Sequence, residues 1–207
     1  MFRDQSLDQF LAELSSRAPT PGGGSAAGLA AAMGVALVEM VANVVSARDE
    51  SEKARLEEFI AVSETMRSGF LELMEQDSSA FEAYMAAMKL PKETDEEKAL
   101  RRSAMQTALK SSAVVPMNLA EKVCEFAEVS NATFSSAPKD IASDLYVGSA
   151  MLEAAYQGAI ANVYVNLAYI KDPVFVNEVR ASVDALTHRV GVLTSFKETV
   201  GRLLEIP

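Results

Sequence analysis

The chain has 207 residues but one cysteine and one histidine, so neither an intramolecular disulfide nor a multi-Cys or multi-His metal centre can be built from it. With 19 basic against 29 acidic residues the net charge is −10, which excludes nucleic-acid binding through a general basic footprint and disfavours docking on anionic membranes. A chain of this length supports one domain, read as residues 1–207, and its chemistry falls to carboxylates, amides, hydroxyls, backbone N–H groups, Lys and Arg.

The start, Met1-Phe2-Arg3-Asp4-Gln5, has no basic segment followed by an apolar one, so no signal peptide is expected and a cytoplasmic location is. Alternating strand patterns are almost absent, and the periodicity predicts about six helices. The first spans Leu7 to Ser16. The second, Ser25 to about Val45 with Ser25 as its cap, is apolar on every face, as a membrane span or the buried axis of a bundle would be. Glu39 and Asn43 inside it, its Ala/Gly bulk and its non-basic flanks favour the buried axis, with Gly28, Ala32 and Ala36 letting neighbours approach.

A third helix runs from about Ser51 to Met88 with its stripe on Leu56, Phe59, Phe70, Leu73 and Phe81, and the period places Asp77 on that core stripe. Thr94 opens the fourth with a capping box (Thr94-Asp95-Glu96-Glu97), and Pro116 should kink or divide it. A polar loop, Ser130 to Ser143, precedes the fifth helix, Asp144 to Ile170, whose few polar members include Asn162 and Asn166 four residues apart on one face. Asp172 and Pro173 begin a sixth helix that carries one amphipathic stripe to Leu204. The expected fold is therefore all-α: a multihelical bundle with a buried central apolar helix, closed by amphipathic outer helices whose spare faces suit a homodimer.

Three features could carry chemistry. Pro19-Thr20-Pro21-Gly22-Gly23-Gly24-Ser25 directly precedes a helix, so its N–H groups could hold an anion, or it is simply a tight turn into a buried helix. No Lys-Ser/Thr follows in the Walker arrangement, so it is not a P-loop. Asp77 could be a general base with a raised pKa, the cap of a new helix, or the partner of a buried cation. Asn162 and Asn166, with Asn43 and Glu39, either bridge helices or converge on one polar pocket. Ser143-Asp144 reads as a cap that could also face a ligand, His188 as a surface residue and Cys124 as core.

The glycine string, Met40-Val41-Ala42-Asn43, Asp77-Ser78-Ser79-Ala80-Phe81, Leu90-Pro91-Lys92, Val115-Pro116-Met117, Ser143-Asp144 and Asn162-Val163-Tyr164-Val165-Asn166-Leu167 lie in order along nearly the whole chain. Together they resemble the cyclodeaminase/cyclohydrolase family. Two stretches depart from its pattern: Ser46-Ala47-Arg48-Asp49-Glu50 retains one basic residue, and Ala137-Pro138-Lys139-Asp140 lacks the usual Asn residues.

The resemblance implies folate one-carbon chemistry on a dimeric helical fold, with Asp77 as the catalytic carboxylate and Glu75 in the acidic position before it. The first expected activity is hydrolysis of 5,10-methenyltetrahydrofolate to 10-formyltetrahydrofolate; the second is cyclodeamination of 5-formiminotetrahydrofolate. A third reading is a folate-binding or structural bundle without turnover. In the enzymatic readings Asn43, Asn162 and Asn166 hydrogen-bond the pterin. The loop Pro21, Gly22, Gly23, Gly24 and Ser25, with Arg48 or Lys110, receives the glutamate tail, and Asp144 faces the substrate. No metal or other cofactor, nucleic acid or membrane is expected to take part.

Overall fold

The computed structural model describes residues 1–135 and 138–205, and every regular element among them is a helix. These are α1 (Leu7–Leu14), α2 (Gly23–Arg48), α3 (Lys53–Met88), α4 (Asp95–Thr133), α5 (Ala142–Leu167), α6 (Pro173–Arg189) and α7 (Gly191–Leu203), with short 3-10 turns at Phe2–Asp4 and Lys139–Ile141. Local chemistry sets several starts. Ser6 with Gln9 and Thr94 with Glu97 form reciprocal capping boxes, and Asp172 Oδ1 accepts from the N–H groups of Val174 and Phe175 ahead of Pro173.

Helix α2 lies along α3 on one side and α5 on the other. It runs antiparallel to α5, since Gly23 faces Asn162, Ala27 meets Gly158, and Gly34 meets Gly148. At the last crossing the two backbones touch. A Cβ on Gly34 would lie 2.9 Å from the Gly148 carbonyl oxygen and 3.0 Å from Leu152 Cγ. Gly34→Ala should therefore cost about 1–3 kcal/mol, because one of the atoms in the way is backbone. A urea-unfolding midpoint that does not fall would contradict this packing.

The main core is built from Val35, Val38, Phe59, Phe70, Val123, Phe126, Leu145 and Leu152, with Phe196 from α7. A smaller cluster, Leu109, Ala113, Val163, Leu167, Val179 and Val183, sits beneath α6. Cys124 is buried, its thiol pushed up to about 11 by desolvation, and His188 is exposed, both as the sequence suggested.

Five expectations change. Helix α2 starts at Gly23, capped by Gly22, and Ser25 is fully buried inside it rather than capping it. The helix is long and apolar enough to cross a membrane, yet it packs on two neighbours and pairs Glu39 with Arg67 at 2.9 Å. Its burial is incomplete, because the face turned away from α3 and α5 keeps Met33 44% and Met40 41% exposed. Pro116 stays inside an unbroken α4, buried, instead of dividing it. The loop 130–143 shrinks as α4 continues to Thr133 and α5 begins at Ala142, which leaves Asp144 in the first turn rather than at the cap. Ala137, part of the departure from the family pattern, lies outside the described residues. The sixth helix splits at Val190, so that Val179 and Val183 reach the smaller cluster while Leu193 and Phe196 reach the main one.

Candidate active site

Helix α2 begins without a side-chain cap, since Gly22 has none to offer. Its first-turn N–H groups need an acceptor, and the positive end of the helix dipole favours an anion there. The carboxylate of Asp77, delivered by α3, takes that place. Ser25 Oγ donates to Asp77 Oδ2 at 3.0 Å, and the Ser25 N–H also serves it. Ser78 Oγ, one residue on, lies 3.0 Å from Ser25 Oγ. The approach is so close that a Cβ on Gly24 would fall 2.1 Å from Asp77 Oδ1 and 2.5 Å from Cγ. The last glycine of the string, Gly24, is thus required by a carboxylate of the protein itself.

Two effects compete on Asp77. Desolvation favours the protonated form; the Ser25 hydroxyl and N–H favour the carboxylate. Desolvation wins, and the carboxyl is held above the usual carboxylate range. Such a group is a better base than an exposed Asp, and it can return its proton.

Asp77 lines a cleft of about 210 Å³ with Thr20, Gly22, Gly23, Gly24 and Phe81 on one side. Ser112 of α4 and Asn162, Val165 and Asn166 of α5 close the other. Asp77 is the sole ionisable carboxyl or basic group in that lining, so the cleft favours a cation.

The amides are fixed by carbonyls. Asn162 Nδ2 donates to Gly158 O at 2.8 Å, and Asn166 Nδ2 donates to both Asn162 O and Ser112 O, each at 2.8 Å. The Ser112 carbonyl can accept from another helix because its own helix does not use it. The residue four positions on is Pro116, which has no N–H. A proline inside α4 therefore positions Asn166 of α5.

The structure brings together Gly22, Gly23, Gly24, Ser25, Asp77, Asn162 and Asn166; Pro21 is buried beside them. It does not bring the other four sequence candidates into the cleft. Asn43 is about 30 Å along α2 from Gly23, and its amide donates to Glu39 O at 3.0 Å. Arg48, at the far end of α2, pairs with Asp140 at 2.7 Å. Asp144 sits about 27 Å along α5 from Asn162. Lys110 donates to Asp172 at 2.7 Å, which holds that carboxyl below the usual carboxylate range, and it lies over the Phe175 ring. Glu39 is likewise taken by Arg67, so the amides of α2 and α5 form two groups and not one pocket. At the glycine N–H groups, an anion would also face the Asp77 carboxylate, which sits beside Gly24 and Ser25. Glu75 faces away and accepts the Arg3 N–H at 2.9 Å. Sequence reasoning missed Ser112, whose signal was a proline four residues after a serine inside a helix.

The sequence model described as formiminotransferase-cyclodeaminase matches residues 6–185. The chain belongs to that family. The match takes in the glycine string, Asp77, Ser112 and the Asn162/Asn166 pair, and ends within α6. Among its relatives is a methenyltetrahydrofolate cyclohydrolase of Methylorubrum extorquens, 34% identical over 93% of this chain and 94% of the relative. The formimidoyltransferase-cyclodeaminase of Sus scrofa is 36% identical over 87% of this chain, which spans only 34% of that longer protein. The formiminotetrahydrofolate cyclodeaminase of Thermotoga maritima has the same fold, with a TM-score of 0.83, 27% identity, and 99% and 98% of the two chains covered.

Proposed function

We propose that this protein hydrolyses 5,10-methenyltetrahydrofolate to 10-formyltetrahydrofolate, with Asp77 as the catalytic base. The observation that carries the reading is a desolvated carboxylate, held by Ser25, as the one charged group lining a cleft of amides and backbone. The substrate's reacting centre is an amidinium cation, which such a carboxylate attracts in the ground state and orients for attack. Water adds to the amidinium carbon as Asp77 takes one of its protons. The neutral tetrahedral adduct then breaks its bond to N5. Asp77 supplies the N5 proton and takes the hydroxyl proton as the formyl C=O forms, and that last proton leaves to solvent. The sequence needs no redox step, thiol or imidazole, and we assign it no metal or cofactor.

The same groups serve the second reading, cyclodeamination of 5-formiminotetrahydrofolate. N10 attacks the formimino carbon, Asp77 takes the N10 proton and delivers it to the leaving ammonia. The Methylorubrum relative, matched over 94% of its length, favours the cyclohydrolase reading; the Thermotoga relative favours this one. Loss of the methenyl chromophore with purified protein tests the first directly. A rate no greater than in buffer overturns it, and ammonia release from the formimino substrate then decides for the second.

We further assign the chain as a cytoplasmic homodimer acting on a small folate, with neither nucleic acid nor a membrane as partner. Support for the dimer is the apolar outer surface of α2 and α5: Met33 and Met40 on one, Val147 (47% exposed) and Val165 (56%) on the other. Val165 also lines the cleft, so a second copy on this surface would shield the cleft mouth. Met40→Glu should convert a sedimenting dimer to a monomer; a dimer that persists places the interface elsewhere.

A further inference from the structure

Buried serines in this fold satisfy themselves. Ser63 donates to Phe59 O, Ser130 to Phe126 O and Ser149 to Tyr146 O, at 2.7–2.8 Å, and Ser25 and Ser78 belong to the Asp77 cluster. Ser112 differs. It is 7% exposed, its Oγ is buried, and that oxygen has no hydrogen-bond partner among the described residues. A serine in a helix normally bonds back one turn, so an orphan hydroxyl here calls for a specific reason.

The polar inventory of the cleft supplies it. The two carbonyls at 2.8 Å from Asn166 Nδ2 use both its protons and fix the amide orientation, leaving Oδ1 as an acceptor. Asn162 spends one amide proton on Gly158 O and keeps the other, together with its Oδ1. With the Asp77 carboxylate, the cleft is rich in acceptors. Ser112 is the side-chain hydroxyl in the α4 and α5 wall that can supply a donor.

We propose that Ser112 is a substrate-contacting residue, whose hydroxyl donates a hydrogen bond to an acceptor atom, a carbonyl oxygen or ring nitrogen, of the heterocycle bound at Asp77. The proposal rests on the folate reading above and adds to it a donor from α4. It also gives Pro116 a second consequence: by freeing the Ser112 carbonyl for Asn166, it lets one residue of α4 anchor the amide wall with its backbone while its side chain meets the ligand.

The test is Ser112→Ala in the full chain, assayed with 5,10-methenyltetrahydrofolate and by thermal melting. The expected result is a KM about tenfold higher, the effect of one lost hydrogen bond, with kcat within about threefold and a melting temperature that does not fall. A structural hydroxyl would do the reverse, lowering the melting temperature while leaving KM and kcat unchanged, and that overturns the proposal. Should wild-type protein turn over neither folate, the activity reading fails separately. Calorimetric titration with 5-formyltetrahydrofolate then decides for Ser112. Binding about tenfold weaker in Ser112→Ala upholds the contact. Equal binding, or none by wild type, overturns it.

Discussion

Asp77→Asn should lower kcat by about 10³-fold, within the 10²–10⁴ that a positioned general base supplies. The substitution keeps the shape, and its amide oxygen still accepts from Ser25, so loss of rate reports loss of the base and not loss of the fold. A variant that retains full activity would remove Asp77 from the reaction. The pH profile gives an independent check. The carboxyl must be ionised to accept the proton from water, and burial holds it above the usual carboxylate range. Activity should therefore rise with pH through that raised value and then level off. The profile should be absent in whatever residual rate the variant shows.

Stability should move the opposite way. The folded state holds the Asp77 proton to higher pH than the unfolded chain does, so stability falls as pH rises from the usual carboxylate range through the raised folded value. The variant has no such loss. Its melting temperature should exceed that of wild type at neutral pH, and the two should converge in acid below the ordinary carboxylate range. A catalytic group that costs stability is the expected signature of an active site. A melting temperature that drops at neutral pH would mean that the Ser25 contacts outweigh desolvation.

Gly24→Ala should reduce kcat/KM by about 10²-fold while leaving the fold close to wild-type stability. The new methyl would sit 2.1 Å from Asp77 Oδ1, and the atoms in its way belong to the end of a side chain. The carboxylate can turn aside, but it then leaves the Ser25 hydroxyl and N–H, and a displacement of about 1 Å at a reacting group costs that much rate. The contrast with Gly34→Ala is the informative part. There a carbonyl of a neighbouring helix blocks the methyl, and the cost should appear in stability. If Gly24→Ala is fully active, the close seat of Asp77 on α2 is not needed for turnover.

Much of this architecture was legible in the sequence. The 3.6-residue period, the capping box at Thr94 and the Asp172-Pro173 start specify helices from local chemistry alone, and the structure keeps them. That Asp77 points inward from α3, among apolar neighbours, was legible for a related reason. A carboxylate on an otherwise apolar stripe is visible without coordinates, because the period fixes its direction. Asn162 and Asn166 followed from their four-residue spacing. By contrast, Arg48 and Lys110 were candidates by charge alone, and charge does not say which partner wins. Asp140 and Asp172 are close enough to take them.

The sequence by itself determined the fold class, the family motifs and the scarcity of thiol and imidazole that leaves carboxylates and amides to carry the chemistry, because composition and periodicity are properties of single elements. Only the tertiary structure decided that Gly24 is seated against Asp77, that α2 is covered on two sides and bare on the third, and that Pro116 frees a carbonyl for Asn166. Each of these depends on the register of one helix against another: Gly24 against Asp77, Gly34 against Gly148, Ser112 against Asn166. That register is set by packing over tens of residues, and no local segment of the chain contains it.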